Sequence, residues 1–136
     1  MTVLYWDASA LLSVLIRDVH TEQALRHART SNCSLVSTLA TAETLAILRR
    51  IRHDALLTHA AYRAALDAFD AGPWRQLNLQ PAWPTLGELA DRYVLKGADL
   101  WHLATVKTLQ EELPEVKLLT FDRRLLAAAR TERLTP

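Results

Sequence analysis

Thr2-Val3-Leu4-Tyr5-Trp6-Asp7-Ala8-Ser9-Ala10-Leu11-Leu12-Ser13-Val14-Leu15-Ile16 is the stretch that decides the fold. Thr2 to Trp6 is a run of β-branched, aromatic and aliphatic residues, the form of a buried strand. Ala8 to Ile16 is rich in Ala and Leu and reads as a helix. A strand that runs straight into a helix opens a βαβ unit. Asp7 then stands at the carboxyl end of the first strand, the rim where open α/β sheets place their ligand chemistry. Ser9 follows at the helix start, either as a cap or as a hydroxyl lining that rim.

The same alternation continues outward. His20 to Arg29 reads as an exposed amphipathic helix and Cys33 to Ser37 as a second strand. Thr38 or Thr41 is expected to cap a helix that runs to about His53. Thr58 to Ala71 is a further helix, closed by Gly72-Pro73. Trp74 to Leu79 alternates apolar and polar residues, a half-buried strand. Pro81 and Pro84 are expected to break the chain before a helix over Leu86–Leu95. Gly97 is read as a turn before a mostly buried helix that begins at Ala98 and ends by Pro114. Val116 to Phe121 is the last clear strand; it ends on Asp122, and Leu125 to Ala129 continues as helix. Leu134-Thr135-Pro136 reads as a fragment of an edge strand. The expectation is a single α/β domain over residues 1–136 with a mainly parallel sheet.

Composition agrees. With 136 residues, half of them hydrophobic and only 3 glycines, the chain supports one helix-rich core. The single cysteine, Cys33, excludes an intrachain disulfide and fits a reducing compartment as a small buried hydrophobe. No apolar run reaches the roughly 18 residues of a membrane helix. The N-terminal apolar run lacks a basic start and is interrupted by Asp7, so it does not read as a signal peptide. A cytoplasmic protein is expected.

Four acids stand out by position. Asp7 and Asp122 each end a strand and start a helix. Asp99 lies in the first turn of a buried helix, and Glu43 lies on a mostly apolar one. Strand carboxyl ends in a parallel sheet share one rim, so Asp7 and Asp122 can approach each other there. Several carboxylates in one cleft repel, and their pKa values rise unless a cation is present. A hard divalent ion such as Mg²⁺ or Mn²⁺ takes oxygen ligands and keeps waters, and it hydrolyses phosphodiesters by activating one of them. Each acid also has a plainer reading: Asp7, Asp99 and Asp122 as helix caps, Glu43 as a surface residue. His102, a turn beyond Asp99, is either a satisfied core histidine, a group that steers Asp99, or one that helps with proton transfer. Arg50, seven positions after Glu43 on the same helix face, is either a solvated helix end or a contact for phosphate or a partner. Trp6, Trp101 and Phe121 adjoin the acids and are read as core.

Net charge is +1. If the four acids surround a metal, eleven of the 15 remain against 16 Lys and Arg, a surface of about +5 that suits a polyanion such as RNA.

These motifs resemble those of the PIN-domain ribonucleases, in particular the VapC-like toxins of type II toxin–antitoxin pairs. Val3 to Leu12 resembles that family's first-strand motif, with Asp7 and Ser9. Ala40 to Arg50 resembles its glutamate-bearing helix, with Glu43. Gly97 to Thr105 resembles its third motif, with Asp99, and is the most specific piece. Leu118 to Leu125 resembles its closing motif, with Thr120 and Asp122. The resemblance spans nearly the whole chain. It implies a three-layer α/β/α fold and Mg²⁺- or Mn²⁺-dependent endoribonuclease activity. Asp7, Glu43, Asp99 and Asp122 would be the catalytic metal ligands, with Ser9 and Thr120 close by. It implies a homodimer, an RNA substrate and a cognate antitoxin that covers or enters the cleft. Trp6 and Trp101 are bulkier than the residues usual at those places.

Other readings fit less well. A phosphatase of the haloacid dehalogenase type needs a second aspartate where Ser9 stands. A receiver domain needs an acidic pair that the chain lacks. A non-catalytic RNA-binding or scaffold protein on the same fold is the alternative, and loss of one or more of the four acids would favour it.

Overall fold

The computed structural model describes residues 1–136. Four strands, β1 (Val3–Trp6), β2 (Cys33–Ser37), β3 (Trp74–Leu77) and β4 (Val116–Leu119), form one sheet in the order β3-β2-β1-β4. Every pairing is parallel: Val3 lies opposite Cys33 on one side and opposite Val116 on the other. There are seven helices; two lie in each of the three crossovers and the seventh follows β4. They are α1 (Ala8–Leu15), α2 (Thr21–Thr30), α3 (Thr38–His53), α4 (His59–Ala71), α5 (Trp83–Arg92), α6 (Gly97–Leu109) and α7 (Arg123–Thr131).

From β1 the chain steps outward through β2 to β3, then returns across the sheet to place β4 on the other side of β1. Right-handed crossovers in opposite directions put helices on opposite faces. The core is divided accordingly. Val3 and Tyr5 of β1 pack with Leu103, Leu118 and Leu125 on one face, while Leu4 and Trp6 pack with Leu11, Ala24 and Ala40 on the other. Period-two alternation along one strand thus feeds two cores, which makes this a three-layer α/β/α domain. The switch in winding direction falls between β1 and β4, and at such a point the two strand ends leave a crevice.

Several boundaries differ from the sequence expectation, each for a local reason. Ser37, not Thr38 or Thr41, caps α3, its side chain accepting from the Ala40 N–H. Pro84 does not break the chain: it sits in the first turn of α5, where its missing N–H costs nothing. That helix therefore starts at Trp83 and stops at Arg92, because Tyr93 is extended. β3 ends at Leu77 and β4 at Leu119, two residues short in each case. Gly97 is the first residue of α6 and no glycine has positive φ, so its conformational freedom is not used. Gly72 matters for a different reason, since a Cβ there would meet Trp74 Nε1 at 2.2 Å. The tail is not a strand, although the Leu118 N–H donates to the Leu134 carbonyl at 2.6 Å and Leu134 is fully buried. Cys33 is only partly buried. No helix is long and apolar enough to cross a membrane.

Candidate active site

Asp7 leaves β1 and caps α1, and this is the best-fixed side chain at the rim. Its Oδ1 accepts from the Ala10 N–H at 2.9 Å and from Ser9 Oγ at 2.7 Å, and its Oδ2 accepts from Thr120 Oγ1 at 2.5 Å. Ser9 is therefore not the cap. Its hydroxyl donates to Asp7 and accepts the Phe121 N–H at 2.9 Å, while Thr120 Oγ1 accepts the Asp122 N–H at 3.1 Å. Each hydroxyl spends its single proton on the carboxylate and takes a backbone proton from the β4–α7 turn. The two hydroxyls thus lock the ends of β1 and β4 together across the switch point. Asp7 is only 3 % exposed. Burial pushes its carboxyl above the ordinary range, against the pull of the Thr120, Ser9 and Ala10 bonds.

Asp122 caps α7, its Oδ1 accepting from the Leu125 N–H at 3.0 Å. Asp99 behaves otherwise. The N-cap position of α6 belongs to Lys96, which makes no side-chain cap bond, and Asp99 takes part in none of the five ion pairs. Burial raises the Asp99 carboxyl first of all; the charges of Asp122, Asp7 and Glu43 add to this, with His102 opposing.

Glu43 is positioned by His102. The ring is buried, its Nε2 lies 2.6 Å from Glu43 Oε1, and its Nδ1 lies 2.5 Å from the Tyr5 hydroxyl. Tyr5 OH is in turn 2.8 Å from Ser37 Oγ. The Tyr5 hydroxyl donates to Ser37 Oγ, which leaves its oxygen to accept from Nδ1–H, while Nε2 faces the Glu43 carboxylate. His102 is thus a buried histidine with both ring nitrogens partnered, and the acid it holds is Glu43, not Asp99. Tyr5 was not singled out by the sequence. Its only signal is that a phenol on a core strand needs a partner and shares a strand face with Asp7.

Asp7, Ser9, Glu43, Lys96, Asp99, His102 and Asp122 line one cleft of about 260 Å³. Thr120 reaches it through Asp7. Arg50 is exposed and does not line the cleft; Ile47, one turn after Glu43, takes the place nearest it on α3.

The acids have the donor chemistry for a hard divalent ion, being oxygen ligands only. Asp99, partly buried among like charges and in no ion pair, is what such an ion would relieve. No three acidic or histidine side chains stand together at the spacing of one ion's ligands.

A PIN domain family model matches residues 4–131. No curated protein matches the chain. Among solved structures, VapC20 of Mycobacterium tuberculosis, described as a sarcin-ricin loop cleaving toxin, superposes with a TM-score of 0.61 at 16 % identity, over 92 % of this chain and 94 % of that one. PAE2754 of Pyrobaculum aerophilum gives 0.59 at 19 % identity, over 93 % of this chain and 79 % of that one. VapBC2 of Rickettsia felis, crystallised with a DNA fragment from its promoter, gives 0.58 at 12 % identity, over 89 % of this chain and all of its counterpart. At these identities the likeness is one of fold.

Proposed function

The chain belongs to the PIN-domain family, and from that premise we propose that it is a divalent-metal-dependent endoribonuclease, the toxin of a toxin–antitoxin pair. One observation above all supports this reading. Four carboxylates from four separate segments line a single cleft, and burial together with the charges of the others raises one of them, Asp99. The neighbours add context: VapC20 is described as a sarcin-ricin loop cleaving toxin, and VapBC2 as bound to a DNA fragment from its promoter.

In this reading Asp7, Glu43, Asp99 and Asp122 hold the ion, Mg²⁺ or Mn²⁺. Once bound, it supplies water activation and stabilises charge on the phosphoryl oxygens. The chain's own residues do the positioning. Ser9 and Thr120 fix Asp7 so that both its oxygens stay at the rim. His102, braced by Tyr5, aims Glu43 at the cleft. Lys96 stands at the edge as a cation for the incoming phosphate. An antitoxin would silence the enzyme by covering this cleft. The protein would work in the cytoplasm, as a homodimer.

The test is cleavage of a pool of cellular RNAs by the purified protein with Mg²⁺, with Mn²⁺ and with chelator, beside Asp99→Asn. Metal-dependent cleavage that the variant lacks is the expected result. Cleavage that survives in chelator or in the variant overturns the metal assignment. RNA binding with no cleavage under any condition would favour the non-catalytic alternative.

A further inference from the structure

The largest cavity is not the acidic cleft. It is a groove of about 450 Å³ between α2 and α7, running beside the outer edge of β4. Its charged lining is Arg123 and Arg130 with His20 and His27 beside them, and no acidic side chain is among its lining residues. Arg123 and Arg130 lie seven positions apart on α7, two turns or about 10.5 Å along one helix face. Both are exposed, and neither takes part in any of the five ion pairs. On α5 and α6, by contrast, Arg92 and Lys107 both bind Glu132. Along the opposite wall the His20 ring stacks on Phe121, with centroids 4.4 Å apart and planes 2° from parallel.

The groove and the cleft share a wall. Thr120, Phe121 and Arg123 line the groove, while Asp122 lines the cleft and Thr120 bonds to Asp7 inside it. A strand of polyanion that has one phosphate among the acids can therefore pass over the β4–α7 turn onto two free guanidinium groups. Unpaired arginines suit phosphate oxygens, and a flat aromatic wall suits a base.

We propose that the groove between α2 and α7 holds single-stranded RNA flanking the bond to be cut, with Arg123 and Arg130 on its phosphates. This rests on the nuclease reading for the identity of the polymer, but its test does not depend on cleavage. The measurement is fluorescence anisotropy of a labelled single-stranded RNA in chelator over a range of salt. Removing two phosphate contacts in Arg123→Ala/Arg130→Ala should weaken binding about tenfold and flatten the slope of log affinity against log salt by about 1.4. Arg123→Lys/Arg130→Lys should keep most of that slope. Arg63→Ala/Arg75→Ala, which removes equal charge from exposed sites on α4 and β3 at the other edge of the sheet, should change affinity less than about twofold. Equal losses in the two alanine pairs, or no loss in the first, overturn the proposal. So does retained RNA affinity together with lost binding of poly-glutamate, which would assign the groove to an acidic protein segment. If the wild type cuts no RNA but the groove variants still lose RNA binding, the nuclease reading fails and the groove stands.

Discussion

Asp99 and Glu132 are both drawn partly out of water, and their carboxyl groups are pushed in opposite directions. Glu132 has a side chain only 5 % exposed, but it is surrounded: Arg92 at 2.9 Å, Lys107 at 3.2 Å and the Tyr93 hydroxyl at 2.5 Å. Burial alone would raise it; the Tyr93 bond and the two cations outweigh that and hold it below the ordinary range. It ties α7 to α5 and α6. Asp99 sits across α6 among Asp7, Asp122 and Glu43, and everything there except His102 raises it. One region matches its charges within the chain and is a clamp. The other pairs Glu43 with His102 and uses Asp7 and Asp122 as helix caps, but leaves Asp99 in no ion pair among like charges, and a perturbed carboxyl of that kind marks a candidate functional site.

Substitutions should break this contrast in opposite ways. Asp99→Asn should lower metal-dependent cleavage by about 10²–10³-fold, the scale of losing one electrostatic group at the reacting phosphate. The same change should leave thermal stability equal or raised, because it removes a like-charge repulsion. Paired cleavage assays and melting curves read both effects, and a clear fall in melting temperature would contradict the repulsion argument.

Glu132→Gln should do the reverse. It strips the shared partner from Arg92 and Lys107 and should cost about 2 kcal/mol in urea unfolding. That is below the cost at a fully buried pair, because Arg92 is half exposed. Cleavage per folded molecule should not change.

His102→Ala probes the link between the core and the cleft. Loss of a group that orients a metal-binding carboxylate typically lowers metal affinity 10–100-fold, and about tenfold is expected here by calorimetry. Tyr5→Phe should have a smaller effect in the same direction, since the ring still meets Glu43 but loses its brace. Unchanged metal affinity in both variants would reduce the row Ser37–Tyr5–His102–Glu43 to core packing.

Acid titration gives the smallest and most diagnostic effect. The folded carboxyl of Asp99 lies above its unfolded value, so the folded state holds the extra proton and this group gains stability as pH falls through its folded value. Glu132 lies below its unfolded value; its contribution is full above that unfolded value and is lost as pH falls through the folded one. Metal-free protein should therefore become slightly more stable in mild acid before losing stability at lower pH. The first rise should be smaller in Asp99→Asn, and the later loss smaller in Glu132→Gln.

The three acids at helix starts were legible because their signals are local. Asp7 and Asp122 follow short apolar runs directly, and each is both a cap and a rim residue, so the two readings of them were never exclusive. The boundaries that failed also failed locally: Ser37 displaced Thr38 and Thr41 as a cap, and Pro84 fitted a first turn instead of breaking the chain. Arg50 shows the limit of a helical-face argument. A sevenfold spacing aligned it with Glu43, but the cleft reaches only one turn along α3, to Ile47.

By itself the sequence determined the alternation of strand and helix, the parallel sheet and the four acids, because period, propensity and position relative to a strand end are written in neighbouring residues. The tertiary structure decided which groups meet. Tyr5 and His102 are 97 positions apart, His102 and Glu43 are 59, and Arg92 and Glu132 are 40. The pairing of His102 with Glu43, the clamp at Glu132 and the groove between α2 and α7 depend on how distant segments pack, and no local pattern encodes that.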